Sequence, residues 1–421
     1  MEKVEKNNAS LKRFLHYDRY ELIAINVFWL GFIAYIASST ILSTKEMPFM
    51  IFQPLQLLGL AAIFASAAYL LKPAFESEYF KIFFFLFALW AMVILFRGFS
   101  FNKDDLKLIF LNPWFGGMFY FVPFLVLFRK SFLLYKKTFS AIIILGVIFL
   151  LFSLMFRDIL TEVIPDNRNR SVVEYFTKSL GISVLFILFT FMYHSKTKNL
   201  IAVISILVML LLGVIRARRG LLLMCVLGLL IAGLIYFLNS KSKILSGSII
   251  IGMLFIAIIG GIYVFLNVEM EALYYLQDRG VTDTRGGIEL YFYKDMEGLD
   301  WIVGRGMQGQ YYCPTMGEGN YRGTVETDYL NMILKGGMVN LVLLLLIIIP
   351  AIFLGIFHSK NNLTKGFAFW ILFWLINTHP STVQVFTMNY FLVWLGAGVC
   401  YSPFIRGISE ETMVAYFKPF G

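Results

Sequence analysis

Residues 199–238 read NLIAVISILVMLLLGVIRARRGLLLMCVLGLLIAGLIYFL. Two apolar runs, 199–215 and 220–238, are parted only by Arg216, Ala217, Arg218 and Arg219. Each run is close to the roughly 20 mostly apolar residues a helix needs to cross the hydrocarbon of a bilayer. In lipid a backbone has no water to bond to, so a spanning segment closes its own hydrogen bonds as a helix. The stretch therefore reads as two membrane spans joined by a turn made of arginines.

Working outward, the same pattern recurs. Twelve candidate spans cover 22–42, 49–71, 79–97, 113–128, 138–156, 176–194, 199–215, 220–238, 245–266, 328–356, 366–378 and 385–404, of which the fourth, sixth and eleventh are short or polar at one end. Composition agrees. Of 421 residues 59% are hydrophobic and 15% charged, where a soluble domain carries about 25% charged residues. The expected fold is all-α: a polytopic helical membrane protein of about twelve spans, forming a single membrane domain over 1–421, with no internal repeat. No cleavage site follows the first apolar run, so we expect no removable signal peptide. Cys225 and Cys400 lie in apolar runs and Cys313 in a polar loop, and no disulfide is expected.

The formal charge of +10 would suggest nucleic acid in a soluble chain. Here basic loops serve topology and anionic lipid instead, and no nucleic-acid partner is expected. With both termini in the cytoplasm, the inner loops carry Arg129, Lys130, Lys136, Lys137, Lys196, Lys198, Lys241, Lys243, Lys360 and Lys365, a regular positive-inside pattern. The outer side then holds one long segment between spans nine and ten, 267–325, and a shorter one near 157–175. In the long one, Gly286 to Leu299 mixes aromatic and charged residues as an interfacial amphipathic helix does.

The basic residues divide by type. The inner side has 15 Lys and 4 Arg, the outer side 6 Lys and 11 Arg. Topology needs only positive charge, whereas the planar fork of Arg matches phosphate or carboxylate bidentately. The outer enrichment in Arg points to an anionic ligand approached from outside.

Three constellations on that side are candidates for chemistry. The first is Arg216, Arg218 and Arg219 before Gly220, read as a diphosphate-binding cluster, with snorkelling anchors as the plainer alternative. The second runs from Asp278 to Gly309 and offers Arg279, Arg285 and Arg305 among glycines at 304, 306 and 309 that would let backbone approach a ligand closely. A dinucleotide reading of those glycines fails, because no strand precedes them. The third, VETDYLNMILKGG at 325–337, places Glu326 and Asp328 just before an apolar helix. There they are either helix caps or, flanked by arginines, general bases. No Cys or His pair has metal-ligand spacing and there is no Walker motif or nucleophile elbow, so neither metal nor other cofactor is expected.

These pieces, in this order, resemble the bacterial O-antigen and capsule polymerases and the related O-antigen ligases. Arg219-Gly220 is similar to that family's Arg-Gly at the outer mouth of a helix. TRGGIELYFYKDMEGLDWIVGRG is similar to its loop pattern, with Arg285 as the arginine and Gly304 and Gly306 as the glycine pair. VETDYLNMILKGGMVN resembles the segment closing the loop. Where ligases have a His-Asn before a Tyr-Leu, this chain has Glu326-Thr327 before Asp328, Tyr329 and Leu330, which looks more like the polymerases.

The resemblance implies a metal-independent, inverting glycosyltransferase of the bacterial inner membrane with its active site facing the periplasm. Undecaprenyl-diphosphate-linked oligosaccharides would be donor and acceptor, and a chain-length regulator protein belongs among the partners it implies. Catalysis would fall to Glu326 as base, with Arg219 and Arg285 on the diphosphate. Arg216, Arg218, Arg305, Asp328 and Tyr329 would bind substrate. A ligase acting on lipid A core, and a lipid-linked oligosaccharide transporter, are the alternatives. A transporter would show repeated halves and mid-membrane charges, and neither is found.

Overall fold

The computed structural model describes residues 14–45, 47–99, 102–161, 167–244, 247–248, 286–314 and 320–418. The chain opens on α1 (Arg19–Leu42), α2 (Phe49–Leu70) and α3 (Glu78–Phe96), then a short α4 (Lys103–Leu111) and a 3₁₀ segment, Met118–Leu127. Next come α5 (Phe132–Met155), α6 (Arg157–Thr161) and α7 (Asn167–Phe176). From α7 the chain passes through a π turn (Thr177–Gly181) and a 3₁₀ turn (Ile182–Val184) into α8 (Leu185–Phe189). It continues with α9 (Lys196–Ile215), α10 (Arg219–Asn239), α11 (Gly286–Asp295), α12 (Leu299–Val303), β1 (Tyr311–Tyr312) and β2 (Tyr321–Arg322). It ends with α13 (Asp328–Phe357), α14 (Asn362–Asn377), α15 (Met388–Cys400), α16 (Pro403–Gly407) and α17 (Glu410–Phe417). The antiparallel β1–β2 pair is the only sheet among the described residues.

Eight stretches of the described residues are long and apolar enough to cross a bilayer: α1, α2, α3, α5, Ser171–Phe189, α9, α10 and α13. They coincide with eight of the twelve expected spans, and the chain is a polytopic helical membrane protein. The expected span 245–266 lies outside the described residues, bar 247–248. Of the other three, 113–128 and 385–404 form shorter helices than expected and 366–378 a slightly longer one, and none reaches spanning length. Expected span 113–128 is a 10-residue 3₁₀ segment with Pro123 inside it. Proline donates no N–H, and the tighter 3₁₀ winding, at about 2.0 Å per residue, still carries ten residues some 20 Å. Expected spans 366–378 and 385–404 become α14 and α15, and every residue of the 13-residue α15 is buried. These are core segments walled by protein, so the lipid thickness does not set their length.

Contacts sort the loops into two ends. At the lower end, Leu71 bridges Phe128, and Arg129 pairs with Glu21 at 2.5 Å. Lys130 and Ser402 share Glu76, and the Tyr193 hydroxyl donates to Glu410 at 3.0 Å. At the upper end, Gln308 reaches Asp105, Phe386 N–H donates to Pro113, and Lys178 reaches the Thr382 carbonyl. The positive-inside loops all fall at the lower end, and the arginine turn at the upper.

Packing inside the bundle uses small residues, as lipid-embedded helices must when solvent supplies no hydrophobic drive between them. A Cβ on Gly31 would lie 2.7 Å from the Gly59 carbonyl oxygen, so α1 and α2 touch through backbone. The upper end carries a second, smaller core: Ile288, Phe292 and Met296 from α11 and the turn after it, Tyr311, Cys313 and Val325 from the loop, and Leu330, Ile333 and Leu334 from the first turns of α13. Burial pushes the Tyr311 hydroxyl up to about 12, so it stays a donor, facing the Thr324 carbonyl at 3.4 Å. Within the expected 286–299 stretch α11 ends at Asp295, and its buried Ile288 and Phe292 pack in one cluster with the first turns of α13.

Candidate functional site

The arginine turn is built by a helix ending and another beginning within three residues. The Arg218 N–H donates to Gly213 O at 2.8 Å, and the Ala217 N–H to Val214 O at 3.1 Å, closing α9 in a Schellman motif. Ala217 takes the left-handed position at φ 50°, where glycine is the usual occupant. Arg219 then starts α10, with Arg218 as its N-cap. Arg216 is buried, Arg218 half-buried and Arg219 exposed. The positive end of a helix dipole disfavours a neighbouring cation and attracts an anion. Three arginines gathered at the start of α10 therefore suit a multiply charged anionic ligand.

The connection between α14 and α15, residues 378–387, is the hub that the turn faces. A Cβ on Gly220 would lie 3.1 Å from the Pro380 carbonyl oxygen, so only glycine keeps this approach without a shift. The first turn of α13 contacts the same connection. Asp328, fully buried, accepts the backbone N–H groups of Val383 at 3.0 Å and Gln384 at 2.7 Å on Oδ2. Its own N–H donates to Thr378 O at 2.9 Å. Tyr329 stacks on the exposed His379, with centroids 6.0 Å apart and planes 12° apart. The arginine turn and the Asp328–Tyr329 pair, more than a hundred residues apart in sequence, thus meet one loop.

Glu326 stands one step further out. It is half-buried, with Oε1 3.4 Å from Arg322 Nη2. Next to it the Thr327 hydroxyl donates to Glu289 of α11, which fastens the helix following Arg285 to the mouth of α13. Arg285 itself lies outside the described residues. Asp328 is fully buried and holds two amides on Oδ2, whereas Glu326 keeps a partly exposed carboxylate, the arrangement a proton acceptor needs.

Arg305 is held differently. Its Nε donates to Asp300 at 2.8 Å, Nη1 to Asp295 at 2.5 Å and to Gln310 O at 2.7 Å, and Nη2 to Asp295 O at 2.6 Å. All three guanidinium nitrogens clamp 295–310. The glycines around it let backbone meet backbone. Gly337, at φ 68° and ψ −176°, breaks α13, and there Arg305 N–H donates to Leu334 O at 2.7 Å and Gly306 N–H to Lys335 O at 2.9 Å. A Cβ on Gly304 would lie 2.5 Å from Gly337 N. Arg97, at the end of α3, holds the same loop through the carbonyls of Val303 and Gly304 at 2.7 and 2.8 Å.

Residues absent from the sequence reading complete the upper end. Lys178, on the π turn, is buried; its Nζ lies 5.8 Å from the centre of the Trp114 ring. Glu174 pairs with both Arg218 and Lys178. Trp114 and Tyr175 pack at 4.7 Å between centroids. The polar start of the span near 176 was the one available signal for Lys178. No metal-binding group of three or more His, Cys, Asp or Glu side chains exists among the described residues.

No protein-family model, no curated protein and no solved structure matches this chain. The fold defines a polytopic helical membrane protein, and its upper end gathers basic, acidic and aromatic side chains around residues 378–387.

Proposed function

We propose that the protein is a glycosyltransferase of the inner membrane that polymerises surface polysaccharide. It transfers a glycan from undecaprenyl diphosphate to another lipid-linked repeat unit on the periplasmic face. One observation carries this reading. The loop 378–387 is shared by two elements: Gly220, next to the arginine turn, packs on Pro380, and Asp328 at the mouth of α13 holds Val383 and Gln384.

In this reading the upper end faces the periplasm, because the Lys-rich loops lie at the lower end and positive charge stays inside. Arg216, Arg218 and Arg219 hold the diphosphate and stabilise the charge that develops as the glycosidic bond breaks. Arg285, which precedes α11 in sequence, is assigned to the same diphosphate. Glu326 takes the proton of the acceptor hydroxyl as it attacks the anomeric carbon. Tyr329, stacked on His379, lines the acceptor side. Asp328 sets the loop in place, and Arg305 holds the segment around which the outer loop is organised. A single displacement inverts the anomeric centre and needs no covalent intermediate.

The test is the lipid-linked material left when the gene is removed. A single undecaprenyl-linked repeat unit in the outer leaflet supports the polymerase. Long capped polymer left off lipid A would make the protein a ligase.

A further inference from the structure

Glu174 stands between two cations, Lys178 four residues further along the same helical stretch and Arg218 from the turn after α9. Its Oε1 lies 3.2 Å from Arg218 Nη1, and its Oε2 3.9 Å from Lys178 Nζ. Backbone fixes both cations. Arg218 leaves the Schellman turn that closes α9. Lys178 rides on the π turn, whose carbonyl at that residue accepts from Asn389 Nδ2 at 2.7 Å. Such turns open the helical ladder and recur at functional sites. The carboxylate is the most exposed of the three, its side chain 35% exposed, against 18% for Arg218 and 5% for Lys178.

We propose that Glu174 is a displaceable counter-ion: it fills the place of a phosphate between Arg218 and Lys178, gives way to the lipid diphosphate, and returns as the product leaves. This rests on the arginine turn binding the diphosphate. In the donor each phosphorus carries one negative charge. When the glycosidic C–O bond breaks, its electron pair stays on the diphosphate oxygen, while the proton of the acceptor hydroxyl goes to the base. The leaving lipid diphosphate therefore carries more charge than the donor did. A fixed pair of cations alone would hold product more tightly than substrate. A tethered carboxylate competing for the same two cations lowers the affinity for both and so speeds release of the more tightly held product. Partly exposed ion pairs are weak, so the exchange lies within reach of a ligand with two or more charges.

The experiment measures binding of inorganic pyrophosphate, and of inorganic phosphate for comparison, to the purified full-length protein by calorimetry at low salt. Glu174→Gln is expected to tighten pyrophosphate binding by about three- to tenfold, the range set by weak, partly screened ion pairs. Glu174→Asp, with its shorter reach, is expected to fall between that variant and the wild type, and it serves should Glu174→Gln fail to fold. Lys178→Gln and Arg218→Gln are expected to weaken binding. Unchanged or weaker binding in both Glu174 variants, while the cation variants lose affinity, would overturn the counter-ion and leave the diphosphate site standing. Pyrophosphate binding that ignores Lys178→Gln and Arg218→Gln would remove the diphosphate site, and the counter-ion with it.

Discussion

Asp328 Oδ2 accepts the backbone N–H of Gln384 at 2.7 Å, and so ties the first turn of α13 to the connection between α14 and α15. The Val383 N–H, at 3.0 Å, shares the same oxygen. A fully buried carboxylate holding two amides is an anchor, and the hub loop owes its position to it.

Asp328→Ala removes both bonds and strands two amides in the interior. Hydrogen bonds to charged groups contribute about 1.5–3 kcal/mol each, so the loss should be about 3 kcal/mol or more. Thermal unfolding in detergent should show it, together with faster proteolysis within 378–387. A variant as stable and as protease-resistant as the wild type would remove the anchor.

Gly337→Ala should be worse. The backbone there, φ 68° and ψ −176°, is a conformation essentially confined to glycine, costing about 1–3 kcal/mol for other residues. The new methyl would also overlap the Ile302 carbonyl. We expect a marked fall in melting temperature and release of the 303–309 segment to protease, and wild-type behaviour would contradict the tight threading described here.

Arg219→Lys keeps the charge and discards the fork. If the diphosphate is held bidentately, activity should fall nearly as far as in Arg219→Ala. Near-normal polymer from the lysine variant would reduce Arg219 to an anchor at the membrane surface.

The two ends of the bundle predict a labelling pattern. Cysteines introduced at the exposed Asp104 and Tyr321 should react with an impermeant reagent added to the periplasmic side. Cysteines at Lys241 and Glu411 should react only after the inner membrane is opened. Labelling of Lys241 from the periplasm would reverse the orientation.

Much of the fold was legible because lipid imposes a simple demand: a run of apolar residues, bounded by charge. That demand marked eight spans closely. It failed at Met118–Leu127 and α15, where protein rather than lipid is the surrounding solvent and length is no longer fixed. At the upper end, glycines 304 and 306 signalled close approach correctly, yet nothing in their spacing told whether a ligand or the backbone of α13 would come near. Arg305 illustrates the same gap. Its partners Asp295 and Asp300 were ten and five residues away, but only the loop's path shows that they converge on it. Lys178 and the loop at 378–387 were missed because a π turn and a non-local hub leave no periodic trace.

The proposed function requires that this protein itself joins lipid-linked sugars, with Glu326 as base. The direct measurement gives purified protein undecaprenyl-diphosphate-linked repeat units and follows chain length and released undecaprenyl diphosphate, in EDTA and without lipid A core. Elongation is expected in the wild type. Glu326→Gln, whose amide cannot take a proton, should lose about 10²–10⁴ in rate. A Glu that only capped the helix would cost about 0.3–1 kcal/mol of local stability instead. No elongation by the wild type, or full-length polymer at the wild-type rate from Glu326→Gln, would contradict it.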